Sequence, residues 1–313
     1  MLLAVLALAA TGCGSDDDPD ATPPSTAATS GVEAAAPEGP GSEQEGEVTL
    51  TEDVEYGTGE VADGSVPLLM DVYEPALGAD APRPVVVVIH GGGFRQQSKA
   101  DPGIVQIAEA LAARGVVAVS IDYRLIPQQP VPSARVAPLA DALGDGELFT
   151  GMAAAVDDTL TATAFLAAHA DDLGIDVGRL GLVGSSAGAI TADHVAYVLD
   201  DHGVEGPEVT VVGSLWGGLF VGAPDGGETA AQLDADEAAL FAVHGDADER
   251  VPVTLSDELA ARAEAVGVPV EYHRLAGGRH GYEPSGFLTE PVEGDQTAFD
   301  RLVVFVSAQL GIG

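Results

Sequence analysis

Gly184-Ser185-Ser186-Ala187-Gly188 places a serine at the centre of a Gly-x-Ser-x-Gly pentapeptide. In a chain this rich in glycine about 0.2–0.3 such matches arise by chance, so the pentapeptide needs its context. Leu180–Val183 reads as a short strand before it and Ala187–Leu199 as a helix after it, the strand–turn–helix setting that exposes a nucleophile. Small residues on both sides allow a sharp turn, and the helix N-terminus favours developing negative charge. The alternative is a glycine-rich turn with a capping serine. Ser186, not Ser185, is the central residue.

A serine that attacks a carbonyl needs donors aimed at the oxygen where charge develops. His90-Gly91-Gly92-Gly93-Phe94 follows the apolar run Pro84–Ile89 and supplies glycines whose backbone can approach closely and adopt positive φ. The N–H groups of Gly91 or Gly92, with that of Ala187, are the expected donors. The segment is not a phosphate loop, because Phe94-Arg95 stands where Gly-Lys-Ser/Thr is required, and the dinucleotide spacing Gly-x-Gly-x-x-Gly is not met. A structural glycine turn is the competing reading.

A serine hydroxyl also needs an imidazole to take its proton and a carboxylate to orient that imidazole. Leu240–Val243, read as a strand, runs into His244-Gly245-Asp246-Ala247-Asp248-Glu249-Arg250-Val251-Pro252, and Val268–Arg274 leads into Gly277-Gly278-Arg279-His280-Gly281-Tyr282. Asp248 is the expected acid, with Asp246 its rival, and His280 between glycines is the expected base. The order Ser, Asp, His is that of α/β-hydrolases. His273 falls within a strand, and His169, His194 and His202 fall on helices or their ends, so all four read as ordinary packed or surface residues. No His, Cys or carboxylate group has metal-ligand spacing, and the chemistry requires neither cofactor nor metal.

These residues must be positioned by alternating elements. Strands are expected at 48–56, 66–73, 84–89, 116–121, 180–183, 209–214, 240–243 and 268–274, and helices at 104–114, 153–169, 187–199, 254–266 and 296–310. Pro84–Ile89 is a continuous β-branched run, as in a strand buried on both faces. The alternation predicts a mostly parallel sheet covered by helices on both faces, with catalytic groups at the carboxyl ends of strands. Residues 126–151 and 217–237 interrupt the pattern as Pro- or Gly/Asp-rich insertions and are expected to lie over those strand ends as a cap or lid.

Charge bounds the partners. The chain carries 50 acidic and 12 basic residues, a formal net charge of −38. Nine of the acids lie in residues 14–47, which leaves 41 acids against 12 bases in the rest, so the excess belongs to the body. Such a surface repels nucleic acid and anionic lipid; it fits solubility or adaptation to high salt. With Cys13 the single cysteine, no intrachain disulfide can form. Met1–Ala10 is apolar and is followed by Thr11-Gly12-Cys13, which resembles a bacterial lipoprotein signal over residues 1–13 with Cys13 as the lipidated residue, although no Lys or Arg precedes Arg83. Residues 14–47, rich in Pro, Gly, Ala, Ser and acids, lack the apolar surface to offset ordering and read as a disordered tether. The expected location is outside the cell, anchored to the outer face of its membrane through Cys13 or released.

Together, Leu69-Met70-Asp71-Val72-Tyr73-Glu74-Pro75, HGGGF at 90–94, Asp122-Tyr123-Arg124-Leu125, GSSAG at 184–188, HGDADERVP at 244–252 and GGRHGY at 277–282 resemble the HGGG-type esterases and lipases of the α/β-hydrolase superfamily, the acetyl esterase and bacterial carboxylesterase group. The resemblance implies an α/β-hydrolase domain over 48–313 and a triad of Ser186, Asp248 and His280. It also implies hydrolysis of small esters, of short to medium acyl chain, through an acyl-enzyme. In such families the Asp-Tyr-Arg-Leu stretch shapes the fold near the site. The same constellation serves peptidases, thioesterases and polyester hydrolases, and a catalytically silent binding lipoprotein is the reading from another class.

Overall fold

The computed structural model describes residues 46–76, 81–222 and 228–313, all within one compact unit, Glu45–Gly313. The signal-like segment, Cys13 and nearly all of the tether lie outside the described residues, as do 223–227 of the second insertion.

The chain opens with β1 (Val48–Val61) and β2 (Gly64–Pro75), continues through β3 (Arg83–Ile89), α1 (Pro102–Ala113) and β4 (Val117–Ile121), and then forms α2 (Ala137–Leu143), α3 (Glu147–Ala168) and α4 (Ala170–Leu173). There follow β5 (Ile175–Ser185), α5 (Ala187–Tyr197), β6 (Val211–Leu215), β7 (Ala239–Gly245), α6 (Val253–Val266) and β8 (Val270–Leu275). The last elements are α7 (Tyr282–Ser285), β9 (Pro291–Glu293), β10 (Gln296–Thr297) and α8 (Ala298–Gln309).

Eight strands form one sheet in the order β1-β2-β4-β3-β5-β6-β7-β8. β1, β2 and β4 pair antiparallel, and every pairing from β4 through β3 to β8 is parallel. The period-two alternation of β3 explains the layering. Val85, Val87 and Ile89 enter the apolar cluster shared with α3, α5 and α6, whereas Val86 and Val88 enter the one shared with α1 and α8. A strand apolar at every position is what a sheet covered on both faces needs.

Helix ends follow local chemistry. The Asp101 side chain accepts from the Gly103 N–H at the start of α1, with Pro102 in its first turn. Thr297 and Asp300 cap each other's backbone at the start of α8. Gly267, at φ 87°, ends α6 in the left-handed region. Element boundaries differ from the sequence expectation where polar residues hide pairing: β5 begins at Ile175, five residues early, because Ile175 and Asp176 pair with Arg83 and Pro84 across a bulge.

Residues 126–151 are packed rather than loose. They contain two short 3-10 turns, α2 and the first turn of α3, and they bury Val136, Leu139 and Leu143 in the core. The Ile126 N–H donates to the Phe94 carbonyl at 2.7 Å, so the segment adjoins the glycine loop after β3. Arg124 anchors its base. The guanidinium, 2% exposed, reaches Asp158 at 2.7 Å and Asp157 at 3.1 Å. It also donates through Nη1 to the carbonyls of Glu60 and Val131, both at 2.7 Å. Removing one partner of a buried pair leaves an uncompensated charge. Arg124→Ala is therefore expected to lower unfolding free energy by about 3–5 kcal/mol, measured by urea denaturation; a loss under about 1 kcal/mol, the level of a surface pair, would contradict the anchoring role.

Candidate active site

Ser186 occupies the junction between the last residue of β5 and the first of α5, at φ 53° and ψ −118°. An L-residue in that conformation is strained by roughly 1–3 kcal/mol and persists only when its surroundings hold it. Its N–H donates to the Leu215 carbonyl at 2.9 Å, and its own carbonyl accepts from Ile190 at 2.9 Å. The flanking glycines make the turn possible by their lack of a Cβ. One at Gly184 would overlap the Gly188 backbone, and one at Gly188 would overlap the Ile89 carbonyl. Ser186 therefore faces the carboxyl end of the sheet, where His280 Nε2 lies 2.9 Å from its Oγ.

His280 is brought there by two loops stitched together. Asp246 N donates to the Leu275 carbonyl at 3.0 Å and Ala247 N to the Gly278 carbonyl at 2.9 Å. Gly245 and Gly278 approach so closely that a Cβ on either would overlap or crowd the other's backbone. Asp246 uses its carboxylate on the Gly277 N–H at 2.7 Å. It therefore holds the histidine loop, and the partner of His280 is its rival: Asp248 Oδ2 is 2.6 Å from His280 Nδ1. The Asp248 side chain is wholly buried and that of His280 13% exposed.

Burial alone would raise the Asp248 carboxyl. Hydrogen bonds from His244, His280 and the N–H groups of Val251 and Arg250 outweigh it and hold the group well below the usual carboxylate range. Ionisation of Asp248 is thus favoured, which suits a carboxylate that orients an imidazole.

The glycine loop is held from behind. Tyr123 Oη donates to the carbonyls of Gly91 at 2.7 Å and His90 at 3.1 Å. His90 Nδ1 is 3.0 Å from the same Gly91 oxygen, and a carbonyl only accepts, so this nitrogen carries the proton. The His90 ring stacks on Tyr123 at 4.2 Å. With its carbonyl pinned on one side, the planar trans Gly91–Gly92 peptide presents the Gly92 N–H on the other. Gly92 sits at φ 88°, where a Cβ would also overlap the Gln96 backbone. No turn or loop hydrogen bond among the described residues is donated by the N–H of Gly91, Gly92 or Ala187.

Several contributors are not apparent from sequence motifs. Tyr123 belongs to the Asp-Tyr-Arg-Leu stretch but shows its use only once the Gly91 carbonyl is seen. Trp216, the single tryptophan, is buried at φ 46° with its ring edge-on to His280 at 6.1 Å and to Tyr282 at 5.1 Å. Asp193, on α5, accepts from Ser214 Oγ at 2.8 Å and Gly218 N at 2.7 Å and so holds the loop that carries Trp216. The four histidines set aside earlier stay clear of the Ser186 line: His194 is buried on Ile190 and Phe220, His202 bonds Gln232, His273 bonds Glu271, and His169 stacks on Phe165.

This architecture recurs among solved structures. A carbohydrate esterase from gut microbiota superposes with a TM-score of 0.60 at 16% identity, over 86% of this chain and 99% of that one. Esterase 2 of Thermogutta terrifontis superposes with a TM-score of 0.59 at 22% identity, over 85% and 94%. The family described as alpha/beta hydrolase fold matches residues 151–242, and a second, BD-FAE, matches residues 70–138. The chain has the α/β-hydrolase fold. Among curated relatives, the esterase LipI of Mycobacterium tuberculosis is 32% identical over 151 residues, 48% of this chain and 39% of that protein. The carboxylesterase NlhH of the same organism is 32% identical over 154 residues, 49% and 40%. A non-reducing polyketide synthase of Emericella nidulans is 32% identical over 160 residues, 51% of this chain and 6% of that protein. The chain thus spans about two fifths of the length of the two mycobacterial relatives.

Two outcomes follow from this packing. Exchanging a helical glycine for alanine ordinarily stabilises by up to about 1 kcal/mol. At Gly188 the sign is expected to reverse, with Gly188→Ala costing about 1–3 kcal/mol in chemical denaturation; a stabilised variant would contradict the close approach to Ile89. Burial, only partly offset by Ser214 and Gly218, pushes the Asp193 carboxyl up to about 7. The folded state therefore keeps a proton that the unfolded chain releases near the ordinary value, and stability is lost as pH rises from about 4 to 7. Asp193→Asn should lack that loss, so its melting temperature relative to the wild type should climb across the window; a constant difference would contradict it.

Proposed function

We propose that this chain is a serine hydrolase of carboxylic esters, with Ser186 as nucleophile, His280 as general base and acid, and Asp248 as the residue that orients His280. The observation that carries the reading is the unbroken line from Ser186 Oγ through both nitrogens of His280 to Asp248 Oδ2, at 2.9 and 2.6 Å. His280 Nε2 takes the Ser186 proton as Oγ attacks the ester carbonyl. Charge forming on the carbonyl oxygen is met by the N–H groups of Gly92 and Ala187, with Gly91 the further candidate from the same loop. The C–O bond breaks, His280 protonates the departing alcohol, and the acid remains on Ser186 as an ester. Water, deprotonated by the same imidazole, then releases the acid and restores Ser186.

The two mycobacterial esterases that match half of this chain favour ester substrates, and the substrate class is small esters of short to medium acyl chain. Turnover of p-nitrophenyl esters of two to twelve carbons tests the reading. Ser186→Ala should lower kcat by at least about 10^4-fold, and Asp248→Asn by a comparable factor through loss of the imidazole's tautomer. Activity that survives Ser186→Ala would sink the assignment. Preference for thioesters or anilides over esters would move the chain to the thioesterase or peptidase reading.

Export as a lipoprotein is proposed alongside, supported by the Met1–Ala10 apolar run, the Thr11-Gly12-Cys13 junction and the polar segment that follows. Metabolic incorporation of a fatty acid that Cys13→Ala abolishes is the expected result; unlabelled wild-type protein would contradict it.

A further inference from the structure

Asp248 carries a second imidazole. His244 lies near the carboxyl end of β7 and is fully buried. Its Nε2 is 3.2 Å from Asp248 Oδ2, the oxygen that His280 also uses, and 3.0 Å from the Val251 carbonyl. Both neighbours are acceptors only, so Nε2 must carry a proton. On the other side of the ring, Nδ1 lies 2.7 Å from Ser256 Oγ on α6, and that oxygen is 3.3 Å from the Gly217 carbonyl. In the neutral ring the Ser256 hydroxyl donates its one hydrogen bond to Nδ1 at 2.7 Å rather than to the more distant Gly217 carbonyl, and the ring proton sits on Nε2. The other oxygen of Asp248 accepts from Arg250 N at 2.7 Å and Val251 N at 3.0 Å. Oδ1 thus has two backbone donors, while Oδ2 has His280 at 2.6 Å and, at the longer 3.2 Å, the single Nε2–H that His244 shares with the Val251 carbonyl.

We infer that His244 is a positioning residue of the proposed esterase: its Nε2–H, fixed by Ser256, aims Asp248 at His280 and sets how much negative charge the base feels. The inference rests on the serine-esterase reading. A filler at this position would need only shape. An apolar side chain there would leave Asp248 Oδ2 and the Val251 carbonyl each short of a donor in a place closed to water. Loss of the donor would also make the carboxylate more basic. His280 would then hold its proton more tightly, and the acid limb of kcat/KM would move to higher pH.

The charged groups of the neighbouring segments do not bond the ring. Glu249 and Arg250 lie on its own loop. Arg274 is its register partner on β8 and engages Asp257 of α6 at 3.4 Å. Asp257 also accepts from Tyr272 Oη at 2.7 Å. Asp193, from α5, abuts Gly217, and His280 is linked to the His244 ring through the shared carboxylate. Among the described residues, the ring's hydrogen-bond partners are Val251 and Ser256, with the Asp248 carboxylate at ion-pair distance.

The test compares the full-length wild type with His244→Leu, His244→Gln and Ser256→Ala on p-nitrophenyl acetate between pH 5 and 9. His244→Leu should lower kcat about ten- to a hundredfold with KM little changed, and should move the acid limb up by about half a unit to one unit. His244→Gln, which offers an N–H at the position of Nε2, should recover most of both. Ser256→Ala, which keeps the imidazole but frees its tautomer, should fall between. An acid limb in His244→Leu that superimposes on the wild type, or a Gln variant no better than Leu, would overturn the inference. Nitrogen-15 spectra of the unmodified protein decide the matter even where a variant fails to fold: His244 should show a protonated Nε2, and a bare Nε2 with a protonated Nδ1 would overturn it. A wild type that hydrolyses no ester removes the esterase reading and this role with it. An active wild type with an unmoved His244→Leu profile removes the role of His244 alone.

Discussion

A serine at φ 53° between the end of β5 and the start of α5 relaxes unless it is held, and much of the central architecture can be traced to that requirement. The strand must be buried on both faces to be rigid, and so β3, β4 and β5 are dominated by small or β-branched residues. The helix must start immediately after the serine and pass so close to β3 that Gly188 lies against the Ile89 carbonyl. The same contact sets the distance between the serine and the glycine loop that continues from β3. One close approach of backbones thus fixes both Ser186 and the glycine loop beside it.

Asp248 and His280 are fixed by a second device, backbone stitching between the loops after β7 and β8. Neighbouring parallel strands deliver these loops side by side, and the hydrogen bonds of Asp246 and Ala247 to Leu275 and Gly278 lock their relative height. Asp246 and Asp248, two residues apart, then divide the labour: one carboxylate holds the histidine loop and the other meets the imidazole. Around them lies a buried polar layer of His244, Ser256, Asp193 and Ser214. Such groups are costly to bury unless satisfied; most of them face one another or loop backbone, and Asp193 Oδ1 is left without a hydrogen-bond partner among the described residues.

Much of this was legible in the sequence because the chemistry is written in short motifs with distinctive residues. The β-branched run before His90, the glycines around Ser186 and the glycines flanking His280 each announce a backbone constraint, and chain order points to the loop after β7, where Asp248 is expected with Asp246 its rival. What was not legible depends on contacts between distant segments. Tyr123 looks like part of a fold-shaping stretch until its hydroxyl is found on Gly91. His244 stands in the sequence as the first residue of the loop after a strand, and only Ser256, twelve residues later on a helix, shows which nitrogen bears the proton. The first insertion reads as a lid by composition. Yet Val136, Leu139 and Leu143 are buried, and Arg124 ties the segment's base to α3, because periodicity in a short Pro-rich stretch does not show which face is inward.

The central claim is that Ser186 is a nucleophile activated by its neighbours, and reaction with a fluorophosphonate followed by intact-mass and peptide mass spectrometry tests it most directly. Only an activated serine reacts rapidly with such a reagent. The account predicts one adduct per folded chain, on the peptide containing Ser186, and none on Ser186→Ala. A folded wild-type protein that takes up no adduct, or takes it up equally when Ser186 is replaced, would contradict it.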